Sequence, residues 1–329
     1  MSSTVRQFKI GDITLKNRYL LAPLAGISDS SFRRMAVRYG ASLVYTEMIS
    51  AKALEQKNRH TGELLAFAGE EMPIGVQLFG HEPDVMRRAA EMLEDRPFAL
   101  VDINMGCPVP KVVKNGEGSA LMREPQLAAQ IVREVVRGTK KPVTVKMRIG
   151  FDDDHINAAE LARYLEDAGA SALAVHGRTR MQYYSGGVNR EAVRAVKEAV
   201  AIPVIANGDV TDEASAAEMF GATGADAVMV GRGAIGNPWV FERLIKGETG
   251  ETFVMPALEE KGEMLLTQVR LSVEEHGELT GVRRLRGTAG WYFKGERGAA
   301  RIRDLFHHVS TYEEMEQAVS KAIQLTQAL

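Results

Sequence analysis

Eight short apolar runs, separated by segments of helical period, leave this chain few folds to choose from. The runs cover residues 19–22, 43–49, 73–79, 99–105, 142–148, 172–178, 203–209 and 227–233. Each is rich in Val, Ile or Leu, and most are bounded by Gly or Pro, as strands buried on both faces are. Residues 32–39, 82–93, 124–136, 156–168, 190–199 and 212–220 carry the helical period between them, with Asp29, Asp153 and Thr211 as expected caps. Strict alternation of strand and helix predicts a parallel sheet, and eight repeats predict an α/β fold closed as a (β/α)8 TIM barrel. An open doubly wound sheet is the alternative, but no glycine-rich dinucleotide fingerprint follows the first strand. From residue 258 the strands stop, and residues 261–275, 282–294 and 312–328 read as helices. The expected division is a catalytic barrel over residues 1–247 and a small C-terminal helical domain over 248–329.

A single cysteine among 329 residues rules out an internal disulfide and any cysteine-rich metal centre. No histidine cluster has metal-ligand spacing, so no metal site is expected. No apolar run approaches the ~20 residues that span a bilayer. Residues 1–17 alternate polar and apolar side chains and lack the core of a signal peptide. A soluble, cytoplasmic protein is expected, with no obligate protein partner evident.

Parity along the strands says more about function. Alternate residues face opposite sides, and helices must cover the outer, apolar set. In the fifth strand Val143, Val145 and Met147 therefore face out, while Thr144, Lys146 and Arg148 face the barrel axis. The same argument turns Glu47, Gln77, Asp102, Asn104, His176, Arg178, Asn207 and Asp209 inward. Barrel interiors are normally filled by branched apolar side chains, and buried unpaired charge is costly. So many polar groups predict a lined pocket, or a satisfied ion-pair network such as Lys146 with Asp102. Cations outnumber acids among them once Arg232 is counted, which suits an anionic ligand. NGDVT (207–211) and GRGAIGN (231–237) follow strands seven and eight, where this fold commonly binds phosphate.

Cys107 opens the longest loop after any strand, residues 106–122, which the fold places on its catalytic face. With Asp102 and Asn104 just before it, a chemical role is expected. The residues alone leave open whether it acts as proton donor or as nucleophile paired with His176.

LAPLAGISDSSFR (21–33), VYTEMIS (44–50), DINMGCPVPKV (102–112), VKMRIG (145–150), HGRTR (176–180), PVIANGD (203–209) and VGRGAIGNPWVF (230–241) together resemble the tRNA-dihydrouridine synthase family, bacterial type, as does WYFKG (291–295) in the tail. The resemblance runs in order through nearly the whole chain. It implies reduction of the C5–C6 double bond of particular tRNA uridines to dihydrouridine, with FMN as cofactor and NADPH as reductant. By the same resemblance Pro23, Leu24 and Ala25 hold the flavin ring, although the family usually has Met where Leu24 stands. Gln77 bonds the ring edge, and His176 lines the pocket. Lys146 lies beside N1 and O2, where a cation favours the anionic reduced form. Asn207, Gly208, Asp209, Gly231 and Arg232 hold the ribityl phosphate. Asn104 and Arg178 orient the uracil, and Cys107 is the general acid.

The net charge of −2 argues against a nucleic-acid partner until its distribution is considered. Residues 281–303 carry Arg283, Arg284, Arg286, Lys294, Arg297, Arg301 and Arg303 against one acid, Glu296, with Trp291, Tyr292 and Phe293 interleaved. With the resemblance this is expected to be a tRNA-binding surface, extended by Lys111 and Lys114. The rival is an FMN barrel dehydrogenase acting on a free pyrimidine, of the dihydroorotate or dihydropyrimidine dehydrogenase type, which has no use for a basic tail. A flavin-free aldolase or isomerase barrel and a non-catalytic RNA-binding protein are the remaining alternatives.

Overall fold

The structure, a computed structural model, describes residues 5–328. All eight expected strands form, and they pair in parallel in chain order: Tyr19–Leu21, Val44–Tyr45 (resumed at Ile49–Ser50), Ile74–Phe79, Leu100–Met105, Val143–Arg148, Ala172–His176, Val204–Asn207 and Ala227–Val230. The eighth strand pairs back onto the first. Two backbone bonds, Leu21 N–H to Leu43 O (2.9 Å) and Ser42 N–H to Tyr19 O (3.0 Å), join the first strand to the second and complete the ring. The outward parity is as expected: Val143, Val145 and Met147 pack in the large core with helical residues such as Val132, Leu161 and Leu165.

The helices between the strands form for visible reasons. Asp29 caps Ser30–Arg38 by accepting from Phe32 N–H (3.0 Å). Proline at the first turn starts Pro83–Leu93 and Pro125–Gly138. Two expected caps are corrected. Asp212, not Thr211, caps Glu213–Thr223 in a reciprocal arrangement with Ser215. Asp153 lies well short of Ala158–Asp167, whose N-cap position is Asn157.

The N-terminal alternation is a hairpin, Phe8–Ile10 with Ile13–Leu15. The first four residues of the 1–17 segment lie outside the described residues. Phe8, Ile10 and Leu15 are buried with Leu20, Leu43, Leu100, Ala172 and Ile205 in a cluster inside the barrel. The hairpin thus plugs the end opposite the strand C-termini. Gly11, at φ 57°, makes its turn where a Cβ would come 2.9 Å from Pro142.

The C-terminal helices are Leu258–His276, Glu278–Ala289, Ala299–Phe306 and Tyr312–Gln327. The third was not foreseen, and the expected 282–294 helix gives way to a 3-10 turn at Gly290–Phe293. These helices share a separate apolar cluster around Leu265, Val282, Phe293 and Phe306, which Trp239 joins from the barrel side. The helix Val240–Thr249 runs through position 247, so the chain is helical across the expected boundary. Among the described residues no helix is long and apolar enough to cross a membrane.

Candidate active site at the barrel mouth

Above the plug, the inward face of the same strands turns polar. Parallel register sets Gln77 beside Asp102 and Thr144, Asn104 beside Lys146, and Arg148 beside His176 and Asn207. Hydrogen bonds join them in two groups, Gln77 with Asp102, Thr144 and Asn104, and Lys146 with Asn207. Asp102 is fully enclosed and accepts from Gln77 Nε2 (2.6 Å) and Thr144 Oγ1 (2.6 Å). The other end of the Gln77 amide accepts from Asn104 Nδ2 (2.9 Å). Lys146 turns to Asn207 Oδ1 (3.1 Å) rather than to Asp102, and Asn207 in turn donates to Met229 O (2.7 Å). The expected Lys146–Asp102 ion pair is therefore corrected to a lysine–amide contact, leaving a deep ammonium group without a carboxylate partner.

Burial shifts these groups in ways that suit a ligand. It raises the Asp102 carboxyl to about 6 against the pull of its two donors and of Lys146. Lys146 is lowered to about 8, first by burial and then by the Arg148 charge. His176 falls to about 2, driven by burial and by four surrounding cations, so it is a neutral imidazole at physiological pH. The Cys107 thiol is pushed up by burial, only partly offset by the Val109 N–H, Arg148 and Lys146. A thiol so placed stays protonated at neutral pH and is suited to give a proton rather than to attack.

A cavity of about 890 Å³ opens over this network and reaches the C-terminal helices, bringing Pro23, Leu24, Ala25, Gln77, Asn104, Cys107, Lys146, His176, Asn207, Gly208, Asp209, Gly231 and Arg232 onto one lining. Six cations face it (Lys146, Arg148, Arg232, Arg243, Lys261 and Lys294) against the single acid Asp209. At one end, among the described residues, nothing accepts from the backbone N–H groups of Gly208, Asp209, Arg232 and Gly233. A Cβ on Gly231 would point toward Ala22, Leu24 and Asn207, into the lining itself. Gly208 at φ 126° and Asp209 at φ 53° set this turn. Free amides beside an exposed guanidinium make an anion cradle. The apolar Pro23–Ala25 turn, the amide of Gln77 and the deep lysine suit a planar, polar-edged ring. The residues present fit a flavin mononucleotide.

Two expected site residues lie elsewhere. Arg178 is 3% exposed and outside the lining. Its guanidinium grips Asp209 (2.9 and 2.5 Å) and the carbonyls of Ser185 and Gly186, so here it shapes the loop after the sixth strand. Glu47 falls where the second strand is interrupted, so parity fails there. Its carboxylate takes the Gly26 N–H, and Met48 meets the cavity instead. Of the basic tail, Arg283, Arg284, Lys294, Arg297, Arg301 and Arg303 are exposed. Arg286 is not a surface group of the same kind: it donates to Val309 O and to Ser310 Oγ (2.7 Å), tying its helix to the loop before Tyr312–Gln327. Among the described residues no three His, Cys, Asp or Glu side chains are placed to share a metal ion.

Sequence reasoning assigned no site role to Arg148, Tyr183 or Tyr184, all of which line the cavity. Parity had turned Arg148 inward, and the paired tyrosines stand in a loop at a strand C-terminus, which was the available signal. Tyr184 is 49% exposed, with Arg232 4.4 Å from its ring centre.

A family model described as dihydrouridine synthase matches residues 20–328. The chain is 43% identical over 297 residues to a probable tRNA-dihydrouridine synthase of Rickettsia bellii, covering 90% of this chain and 91% of that one. It is 39% identical over 302 residues to tRNA-dihydrouridine synthase B of Vibrio vulnificus, covering 92% and 94%. Its fold is shared with morphinone reductase at 15% identity and a TM-score of 0.53, over 79% of this chain and 93% of the other. With cavity, cradle and sequence in accord, the chain belongs to the dihydrouridine synthase family, whose members are flavin-dependent oxidoreductases.

Proposed function

We propose that this protein reduces the C5–C6 double bond of specific uridines in tRNA to 5,6-dihydrouridine. The observation that carries the reading is the placement of Cys107, a half-buried thiol, on the lining of the same cavity as Lys146 and the anion cradle. FMN, when bound, supplies the hydride that adds to uracil C6, NADPH being its source. Pro23, Leu24, Ala25 and Gln77 would hold the ring, with Lys146 and His176 beside it. Asn207, Gly208, Gly231 and Arg232 would take the phosphate, with Asp209 fixing Arg232.

The thiol of Cys107 gives its proton to C5. Asn104 holds the cysteine backbone, accepting from Cys107 N–H (2.8 Å), and lines the cavity where the uracil would lie. Arg148 adds positive charge near the carbonyl oxygen where negative charge develops. The base-orienting role expected of Arg178 requires it to leave Asp209 and two carbonyls, whereas Arg148, itself held by three carbonyls, lines the cavity as it stands. A target base must leave its stack to enter the cavity. The exposed arginines of the C-terminal helices, with Lys111 and Lys114, supply phosphate-binding charge. The working division is then a catalytic barrel over 1–247 and a tRNA-binding domain over 248–329, acting in the cytoplasm.

The test is direct. The FMN-loaded protein is expected to form dihydrouridine in unmodified tRNA with NADPH consumed. Cells lacking it should lose dihydrouridine at defined tRNA positions. Turnover of free uracil or dihydroorotate in place of tRNA would transfer the assignment to the free-pyrimidine dehydrogenases.

A further inference from the structure

Cys107 can protonate a bound ring only if its loop holds still, and the structure shows how completely that loop is held. Its backbone polar groups are taken up one by one, by residues of the loop and its strand and by two residues from elsewhere in the barrel. Asn104 Oδ1 accepts from the N–H of Gly106 and Cys107. Arg148 Nε donates to Gly106 O (2.8 Å). Ser119 takes Cys107 O through both its hydroxyl (2.8 Å) and its N–H (3.1 Å). Gly118, at φ 60°, lets that turn close in: a Cβ there would lie 2.9 Å from Cys107 O.

The next carbonyl, Pro108 O, is held from across the cavity. The hydroxyl of Tyr183, 75 residues away in the loop after the sixth strand, donates to it at 2.9 Å. Tyr183 adopts φ 51°, a left-handed backbone that a tyrosine takes up only under constraint. Arg148 supplies the constraint: its Nη1 donates to Tyr183 O (2.9 Å) and to Thr179 O (2.7 Å). One guanidinium thus grips both lips of the cavity, and the Tyr183 hydroxyl spans them a second time. Asn104 and Arg148 also face the cavity and carry other duties. Deleting the Tyr183 hydroxyl cuts a contact between the two loops and leaves the cavity's charge untouched.

We propose that Tyr183 is a positioning residue for proton delivery, a latch that fixes the Cys107 loop against the loop after the sixth strand. The proposal rests on the reading of Cys107 as the proton donor. Placement of a reacting group within a near-attack distance is worth large factors in rate, and the latch is expected to act on that placement alone. It should leave untouched the steps that do not use the thiol.

The experiment uses the FMN-loaded protein and Tyr183→Phe, which keeps the ring and deletes the hydroxyl. Reduction of the flavin by NADPH should stay within about twofold of the parent. Re-oxidation by tRNA should slow on the order of tenfold or more, with the half-saturating tRNA concentration unchanged. Iodoacetamide should alkylate Cys107 faster in Tyr183→Phe, with the pH midpoint of alkylation moved down as the thiol gains solvent. Tyr183→Gly, which relieves the backbone but also lacks the hydroxyl, should behave like Tyr183→Phe and not like the parent. An unchanged re-oxidation rate in Tyr183→Phe overturns the proposal. So does an equal loss in both half-reactions or in tRNA affinity, since that marks general damage. If the parent itself fails to re-oxidise with tRNA, the dihydrouridine reading falls, while the alkylation rates still decide the latch.

Discussion

The two halves of the barrel interior are built from the same strands and the same parity, yet they do opposite work. In the lower half Leu20, Leu43, Leu100, Ala172 and Ile205 interlock with the N-terminal hairpin in an apolar cluster. One or two inward positions further along, the same strands present Asp102, Asn104, Lys146, His176 and Asn207. Ala174 and His176 are neighbours on the inward face of a single strand, as are Ile205 and Asn207. Small alanines below leave room for the hairpin side chains. Polar groups above lack that filling and satisfy one another only in part, leaving Lys146 with an amide and the turn amides without an acceptor among the described residues. Removing a lower side chain should therefore cost stability and spare chemistry, and removing an upper one should do the reverse.

The largest expected effect lies in the upper half. Cys107→Ala should lower dihydrouridine formation by about 10²- to 10⁴-fold, the range typical of a lost general acid. The protein should stay yellow and NADPH-reducible, with its melting temperature close to that of the parent. A variant that turns over at the parent's rate removes Cys107 from the chemistry. The matching change below is Leu100→Ala. Leu100 is fully buried and packs beneath Tyr45, against the face of Gly75. Its truncation should cost about 2–5 kcal/mol in chemical denaturation and leave flavin affinity and turnover of the folded protein near the parent's. A selective loss of turnover there would break the division between the halves.

That division was largely legible in the sequence. Alternation of apolar and charged residues placed Lys146, His176, Asn207 and Asp102 inward because a regular strand has only two faces. It failed at Glu47, where the second strand breaks between Tyr45 and Ile49 and period two no longer applies. Arg178 lies off the cavity lining for a different reason. Parity says which way a residue leaves the strand, but at the strand end a long side chain is captured by whichever carbonyls and carboxylate its own loop offers. The hairpin plug escaped notice because three-residue strands around Gly11 carry too little periodicity to register. The Tyr183 latch was beyond reach, since it depends on two loops 75 residues apart meeting at one hydrogen bond.

Titration sharpens the comparison further, because the buried carboxyl and ammonium groups belong to the upper half. Lys146 is depressed to about 8 in the folded protein from an ordinary 10.5. Its folded state thus binds fewer protons than the unfolded chain between about pH 8 and 10.5, and its contribution to stability rises with pH across that window. Below pH 8 the flavin-free protein carries the full cost of the buried ammonium. Lys146→Met should then melt above the parent at pH 7, with the gap closing as pH rises from 8 to 10.5. Asp102 runs the other way at lower pH. Its carboxyl is raised to about 6, so the stability it contributes is complete below about 4 and is lost as pH rises through 6. A melting difference between Lys146→Met and the parent that ignores pH would show that the ammonium is not buried at cost. In the loaded protein Lys146→Met should also weaken the hold on the reduced flavin, measurable as a shift of its reduction potential.

The C-terminal helices repeat the contrast at smaller scale, between arginines that face out and one that faces in. Arg283 and Arg284 are exposed on Glu278–Ala289, whereas Arg286, on the same helix, is spent on Val309 O and Ser310. If the exposed face tracks tRNA phosphates, each neutralised phosphate on a duplex region contributes ~0.9 to the slope of log affinity against log salt. Arg283→Ala with Arg284→Ala should flatten that slope by about 1.8 and leave the melting temperature unchanged. Arg286→Ala should lower the melting temperature and leave the slope near the parent's. Equal slopes in the parent and the double variant would move the tRNA surface off this helix. A slope changed by Arg286→Ala alone would mean that its two hydrogen bonds yield to a phosphate when tRNA arrives.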